Sequence, residues 1–134
     1  MKIFISGSMY FAKEMLEHKN KLEGMGHVAL VPGDTHLCIK NPDLNIDLEH
    51  ALSTDIQGKC FEEISKSDAI LVLNYKKNDI EGYVGGNTLM EMGFANVHNK
   101  KVFLMNPIPE QVSYVDEIKA MTDQILNGDL NKIS

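Results

Sequence analysis

Four short, almost wholly apolar runs separated by amphipathic segments predict an α/β protein in three layers. The expected core is a flavodoxin- or Rossmann-like parallel sheet of four to five strands with helices on both faces. Lys2–Ser6 (KIFIS) is the first run, and its lack of alternation suits a strand buried on both sides. Residues 12–23 carry Met15, Leu16 and Leu22 among charges, an amphipathic helix closed by Gly24 and Gly26. Residues 28–31 form a second strand, stopped by Pro32-Gly33, and residues 34–48 show no clean period, as in a functional loop or lid. A helix is expected over 49–66, broken near Gly58, then the strongest strand, 69–73 (AILVL). A polar, glycine-containing loop spans 74–86 and a helix 88–97. The fourth strand, 101–105 (KVFLM), ends at Asn106-Pro107-Ile108-Pro109. A final amphipathic helix covers 114–126, and the tail after Gly128 is expected to add a short edge strand.

Bulk properties narrow the function. With 134 residues, 43% hydrophobic and 24% charged, the chain reads as one ordered domain over 1–134. A net charge of −6 argues against a polymeric nucleic acid as partner, because such binding displaces counterions with a basic surface. A single phosphate remains compatible, since backbone N–H groups at a helix start can hold it. No apolar stretch approaches the roughly 20 residues that span a bilayer. The first apolar run is too short for a signal peptide. Cys38 and Cys60 form no CxxC pair, so a reduced, cytoplasmic setting without membrane attachment is expected.

In doubly wound sheets ligands bind beyond the carboxyl ends of the strands, where strand order reverses. That rule selects the loops 7–11, 74–88 and 106–109. In the first, Gly7, Ser8 and Tyr10 supply a flexible backbone, a hydroxyl and a phenol. Ser8 either caps the following turn or helps to hold a phosphate or sugar hydroxyl. An aspartate is missing there, against a phosphoacceptor domain, and neither GxGxxG nor a P-loop lysine is present. In the second, Gly85-Gly86 admits close backbone approach by a ligand, and Asn87 or Thr88 can cap the next helix. Thr88 and Glu91 have capping-box spacing, in which the glutamate folds back onto its own helix start. The alternative follows from composition: Leu89, Met90, Met92, Phe94, Ala95 and Val97 make the helix apolar nearly all round. A buried Glu91 would have a raised pKa, as working acids often do.

At these residues the chain resembles the nucleoside 2-deoxyribosyltransferases and the related 2′-deoxynucleoside 5′-phosphate N-hydrolases. The likeness lies in Ile5-Ser6-Gly7-Ser8-Met9-Tyr10-Phe11, Ser67-Asp68-Ala69-Ile70-Leu71-Val72, Thr88-x-x-Glu91-x-Gly93-x-Ala95 and Lys100-Lys101-Val102, in order over residues 2–106. It implies Glu91 as the nucleophile attacking the anomeric carbon of a nucleoside or nucleotide as the base leaves. Tyr10 would lie close to the sugar, and Gly7, Ser8 and the Gly86-Asn87-Thr88 backbone would face sugar hydroxyls or a 5′-phosphate. No cofactor is implied. Two departures concern the partner acid: the transferases carry an Asp where this chain has Gly85, and the hydrolases place one where it has Cys60. Asp79, Tyr83 and Asp55 are the alternatives for a proton donor, while Asp68 reads as a cap at a strand entry. Gly85-Gly86-Asn87-Thr88-x-x-Glu91 is also similar, one residue shorter, to the GGxGTxxE signature of cytokinin-releasing phosphoribohydrolases. A non-catalytic nucleotide-binding module of the same fold is the reading from another class.

The remaining expectations are brief. The five histidines show no metal-binding spacing; His36, Cys38 and His50 are the one conceivable trio, and no metal is expected. Lys76-Lys77 are solvated turn charges or phosphate contacts. Sites of the resembled family are completed by a neighbouring subunit, which implies a homodimer or higher homo-oligomer. Phe103, Met105 and the 107–109 corner are the expected apolar contact.

Overall fold

The computed structural model describes residues 1–41 and 55–134. Five parallel strands form one sheet in the order β2-β1-β3-β4-β5: β1 (Lys2–Ser6), β2 (Val28–Leu30), β3 (Ala69–Val72), β4 (Lys101–Leu104) and β5 (Gln124–Ile125). The order reverses between β1 and β3, so the crevice for a ligand opens at their carboxyl ends. Helices α1 (Ala12–Gly24), α2 (Thr35–Lys40), α3 (Ile56–Ser65), α4 (Gly86–Val97) and α5 (Val115–Met121) connect them.

The central strands are apolar between their ends because each of those side chains meets a helical layer. From β1, Ile3 and Ile5 join Leu71, Phe103, Met15 and Leu22 on the α1 side. Phe4 points the other way, with Ile70, Val72, Val102, Ile64, Met92 and Ile118 under α3, α4 and α5. Each fully buried Ile or Leu contributes about 1.5–3 kcal/mol relative to exposure. Phe103 and Met105, expected at a subunit contact, belong to this interior at 1% and 2% exposure. The period-2 geometry of β4 turns Phe103 onto the core, so neither residue is available to a partner.

The ends of the chain depart from expectation. The last helix stops at Met121, because Thr122 is extended (ψ 123°) and its hydroxyl donates to Ile118 O at 2.7 Å. Asp123 then accepts from Val102 N at 2.7 Å and its own N–H donates to Val102 O at 2.9 Å. Those bonds hand residues 124–125 to the sheet as β5. The tail is not a strand; Leu130–Lys132 is a 3₁₀ turn capped by Asp129, and Leu130 and Ile133 plug the α1-side core. Residues 35–40, read as part of an irregular stretch, form the short helix α2. Residues 42–48 of that stretch and 49–54 of the helix expected over 49–66 lie outside the described residues. Gly58 does not break α3: a Cβ there would meet the Asp55 carboxylate at 2.6 Å, so the glycine makes room for it. Asp68 does cap a strand entry, accepting from Lys2 N at 2.7 Å.

Asn74 ties β3 to β4 just above the sheet. Its Nδ2 donates to Asn106 O (2.8 Å) and Pro107 O (3.1 Å), and its Oδ1 accepts from Asn106 N at 2.8 Å. Asn74 is fully buried. Asn74→Ala is therefore expected to lower stability by about 2–3 kcal/mol, since Asn106 N–H loses its partner in a half-buried site. Urea unfolding checks this; a loss below about 0.5 kcal/mol would mean that water replaces the amide.

Candidate active site

Glycine decides where α4 begins. Gly85 is its N-cap, extended at φ −86° and ψ 178°, and has no side chain to cover the first N–H groups. Thr88 is thus the third helical residue and Glu91 the sixth, a full turn too deep for a capping box. Among the described residues no side chain caps this helix start. The capping reading is corrected accordingly: Glu91 turns into the protein, with Thr88, Met92 and Ala95 on the same buried face. The helix is not apolar all round in its burial, however, since Met90 and Val97 are 49% and 74% exposed.

The Glu91 carboxylate, 6% exposed, is held from two elements. Ser6 Oγ, at the end of β1, donates to Oε1 at 2.5 Å. Gln57 Nε2, in the first turn of α3, donates to Oε2 at 3.1 Å. Burial pushes its pKa up to about 7, against the opposing pull of the Ser6 and Gln57 hydrogen bonds. A carboxyl group so placed is poised near neutrality, fixed in direction, and able to act as nucleophile or as acid and base. Ser6 had shown only as a polar residue ending an apolar strand, and Gln57 had no signal of its own.

Cys60, where the resembled hydrolases have an acid, is buried close enough to feel Glu91. Burial pushes its thiol well up, and the charges of Glu91, Asp34 and Glu63 add to this. The thiol stays neutral at physiological pH and is a poor substitute for a carboxylic acid. Asp34 is itself buried at the start of α2, with Cys38 Sγ 3.7 Å from its Oδ2. Of the conceivable metal trio, His36 is exposed, Cys38 buried, and His50 outside the described residues. Among the described residues, no three His, Cys, Asp or Glu side chains are grouped to hold a metal.

The β1 loop lies beside this carboxylate. Gly7 adopts φ +150°, and a Cβ on it would lie 3.1 Å from Leu73 O, so only glycine lets β1 and β3 stay this close. Ser8 caps the 3₁₀ turn Met9–Phe11, accepting from Tyr10 N at 3.2 Å, and accepts again from Lys77 Nζ at 2.8 Å. Tyr10 is 64% exposed at the rim. Tyr83 stands over the helix start: a Cβ on Gly85 would be 3.2 Å from its phenol oxygen. A Cβ on Gly86 would meet only open space, and Asn87 is exposed beside it.

Loops 7–11 and 74–88 are therefore brought together at Ser8 and Lys77, and 106–109 is bound to the second of them at Asn74. It borders a separate opening of about 700 Å³ with Tyr75, Lys76, Asp79, Glu81 and Gln111. Among the expected proton donors only Tyr83 stands against the α4 start. Asp55 and Asp79 are exposed, both at positive φ.

Sheet order and crevice define a doubly wound α/β protein with an acidic site at its switch point. Solved structures share that fold. The chain matches a 2-deoxyribosyltransferase from Bacillus psychrosaccharolyticus with a TM-score of 0.61 and 18% identity, over 93% of this chain and 85% of that one. It matches the CMP N-glycosidase BcmB of Clostridium botulinum with a TM-score of 0.54 and 17% identity, over 95% and 90%. No protein-family model and no curated protein sequence matches the chain. Among the described residues, no helix is long and apolar enough to cross a membrane.

Proposed function

We propose that the protein cleaves or transfers the N-glycosidic bond of a nucleoside or 2′-deoxynucleoside 5′-monophosphate, with Glu91 as nucleophile. The observation that carries this reading is the buried Glu91 carboxylate, held by Ser6 and Gln57 at the β1 end beside an uncapped, glycine-led helix. Two structural neighbours of this fold, a 2-deoxyribosyltransferase and a CMP N-glycosidase, support the same bond as the target.

In the proposed reaction Glu91 attacks the anomeric carbon and the base departs with the glycosidic electron pair. A proton reaches the base from solvent or from Tyr83. Water or a second base then takes the sugar from the carboxylate. Ser6 and Gln57 hold the ionised carboxylate in line and lower its basicity, while the dry surroundings strengthen its interaction with the oxocarbenium-like carbon. Gly7, Ser8, Tyr10 and the backbone from Gly85 to Thr88 line the approach. Assembly with a second copy belongs to the same reading, and the exposed Met90 and Val97 on α4 supply an apolar face for it.

Incubation with a panel of nucleosides, 2′-deoxynucleosides and their 5′-monophosphates, read by chromatography of the free base, tests the proposal. Release from at least one substrate is expected, and Glu91→Ala should abolish it. A wild-type protein that binds members of the panel, seen as a rise in Tm, yet releases no base is a binding module and not this enzyme.

A further inference from the structure

Among the described residues, Lys77 is the cation that faces Ser8, Tyr10 and Tyr83. It occupies the first position of a tight two-residue turn in which Asn78 and Asp79 both have positive φ, 54° and 60°. Lys77 and Ile80 exchange backbone hydrogen bonds at 3.1 and 2.9 Å, the pairing of a type I′ hairpin turn. Tyr83 N donates to Tyr75 O at 3.1 Å below it, so the loop that carries Lys77 is closed at two levels. The two adjacent lysines then do different things. Lys76 points to solvent and pairs with Glu81 at 3.7 Å. Lys77 turns inward, half-buried, with Nζ 2.8 Å from Ser8 Oγ and 5.7 and 5.4 Å from the ring centres of Tyr10 and Tyr83.

Among the described residues no carboxylate pairs with Lys77. Its position is costly without an anion: burial lowers its pKa, and an ammonium has three donors where the Ser8 hydroxyl accepts only one. Ser8 accepts from both Lys77 and Tyr10 N, which leaves its own O–H to donate. Tyr83 links the cluster to the Gly85 end of α4. Ammonium, hydroxyl and helix start converge from three elements in a chain whose net charge is −6.

We infer that Lys77, with Ser8, binds the phosphate of the substrate, so that the protein takes nucleoside 5′-monophosphates in preference to free nucleosides. This rests on the nucleotide reading of the site. Charge-assisted hydrogen bonds to phosphate are stronger than those to a sugar hydroxyl, by enough to separate the two substrate classes at least about tenfold.

Calorimetric titration with 2′-deoxynucleosides, their 5′-monophosphates and inorganic phosphate, alongside base-release kinetics on the same compounds, tests it. The wild type should bind at least one monophosphate ten- to a hundredfold more tightly than the matching nucleoside. That ratio should fall below about threefold in Lys77→Met and Lys77→Gln, and persist in Lys77→Arg and in Lys76→Met. Inorganic phosphate should compete with the monophosphate in wild type and not in Lys77→Met. Equal affinity for the two classes, no binding of any monophosphate at millimolar concentration, or a preference that survives both neutral variants would overturn the inference. Phosphate-dependent binding without base release would overturn the glycosidase reading alone. Base release with equal kcat/KM for nucleosides and monophosphates would overturn the Lys77 assignment alone.

Discussion

Glu91→Gln should leave a protein that is more stable than wild type at pH 8 and at least about a thousandfold slower in base release. The two halves of this expectation come from one fact, the burial of a carboxyl group whose pKa is about 7 in the fold and near 4.5 when the chain is unfolded. A carboxyl with a raised folded pKa contributes its full stability below the unfolded value and loses it as pH rises through the folded one. At pH 8 the folded protein holds an ionised carboxylate at a cost of about 3 kcal/mol. Glutamine never incurs that cost, and it can still accept from Ser6. The difference between variant and wild type, measured by urea unfolding, should therefore be small at pH 4.5 and grow to about 2–3 kcal/mol at pH 8. A constant difference across that range would place the raised pKa elsewhere. The wild-type rate should rise with pH through about 7, because the nucleophile must be ionised. Ser6→Ala removes a hydrogen bond that favours ionisation, and should move that limb to higher pH.

Gly7→Ala should produce the largest loss of stability among single-atom changes near the site, about 2–3 kcal/mol, and reduce base release with it. At φ +150° a side chain is strained wherever it points, and here it would press on Leu73 O at 3.1 Å. Relief requires β1 and β3 to part at their carboxyl ends, where Leu73 N donates to Ser6 O at 2.8 Å. Ser6 would move with them, and so would the bond that orients Glu91. Gly86→Ala is the control, because its Cβ would meet nothing within 4 Å. Thermal unfolding of the two variants should separate by several degrees. Equal Tm values would show that the strands accommodate the methyl group.

The sheet was legible because its central strands are buried on both faces along their length, so that polar residues fall only at their ends, at Lys2, Ser6 and Lys101. Residues 2–6, 69–73 and 101–105 needed no more than that. β5 was not legible: two residues are too few for a period, and the amphipathic pattern from Tyr114 runs on through Ile125 and Leu126 without a break. What divides them is Thr122 and Asp123, whose side chains choose partners 4 and 21 residues away. The glycine-led start of α4 and its acidic residue were readable from local spacing. The capping-box pattern misled, because it presumes that Thr88 is the cap, and the helix starts earlier at Gly86. Ser6 and Gln57 reach Glu91 across 85 and 34 residues, distances over which spacing carries no information. Lys77 had a local signal in Asn78-Asp79, a pair suited to a turn with two positive φ angles, which would have marked its backbone as fixed.

The strands at the two margins of the sheet are very short, three residues in β2 and two in β5. A longer margin would present a row of unpaired N–H and C=O groups, a template on which a strand from another chain could add. Here that row is too brief to hold a visitor in register. Non-native pairing through the backbone, the usual first step towards fibrous aggregates of β proteins, has little to grip. Under the proposed assembly, a second copy would meet the chain through side chains on the helical layers, where shape and not backbone pairing selects the partner.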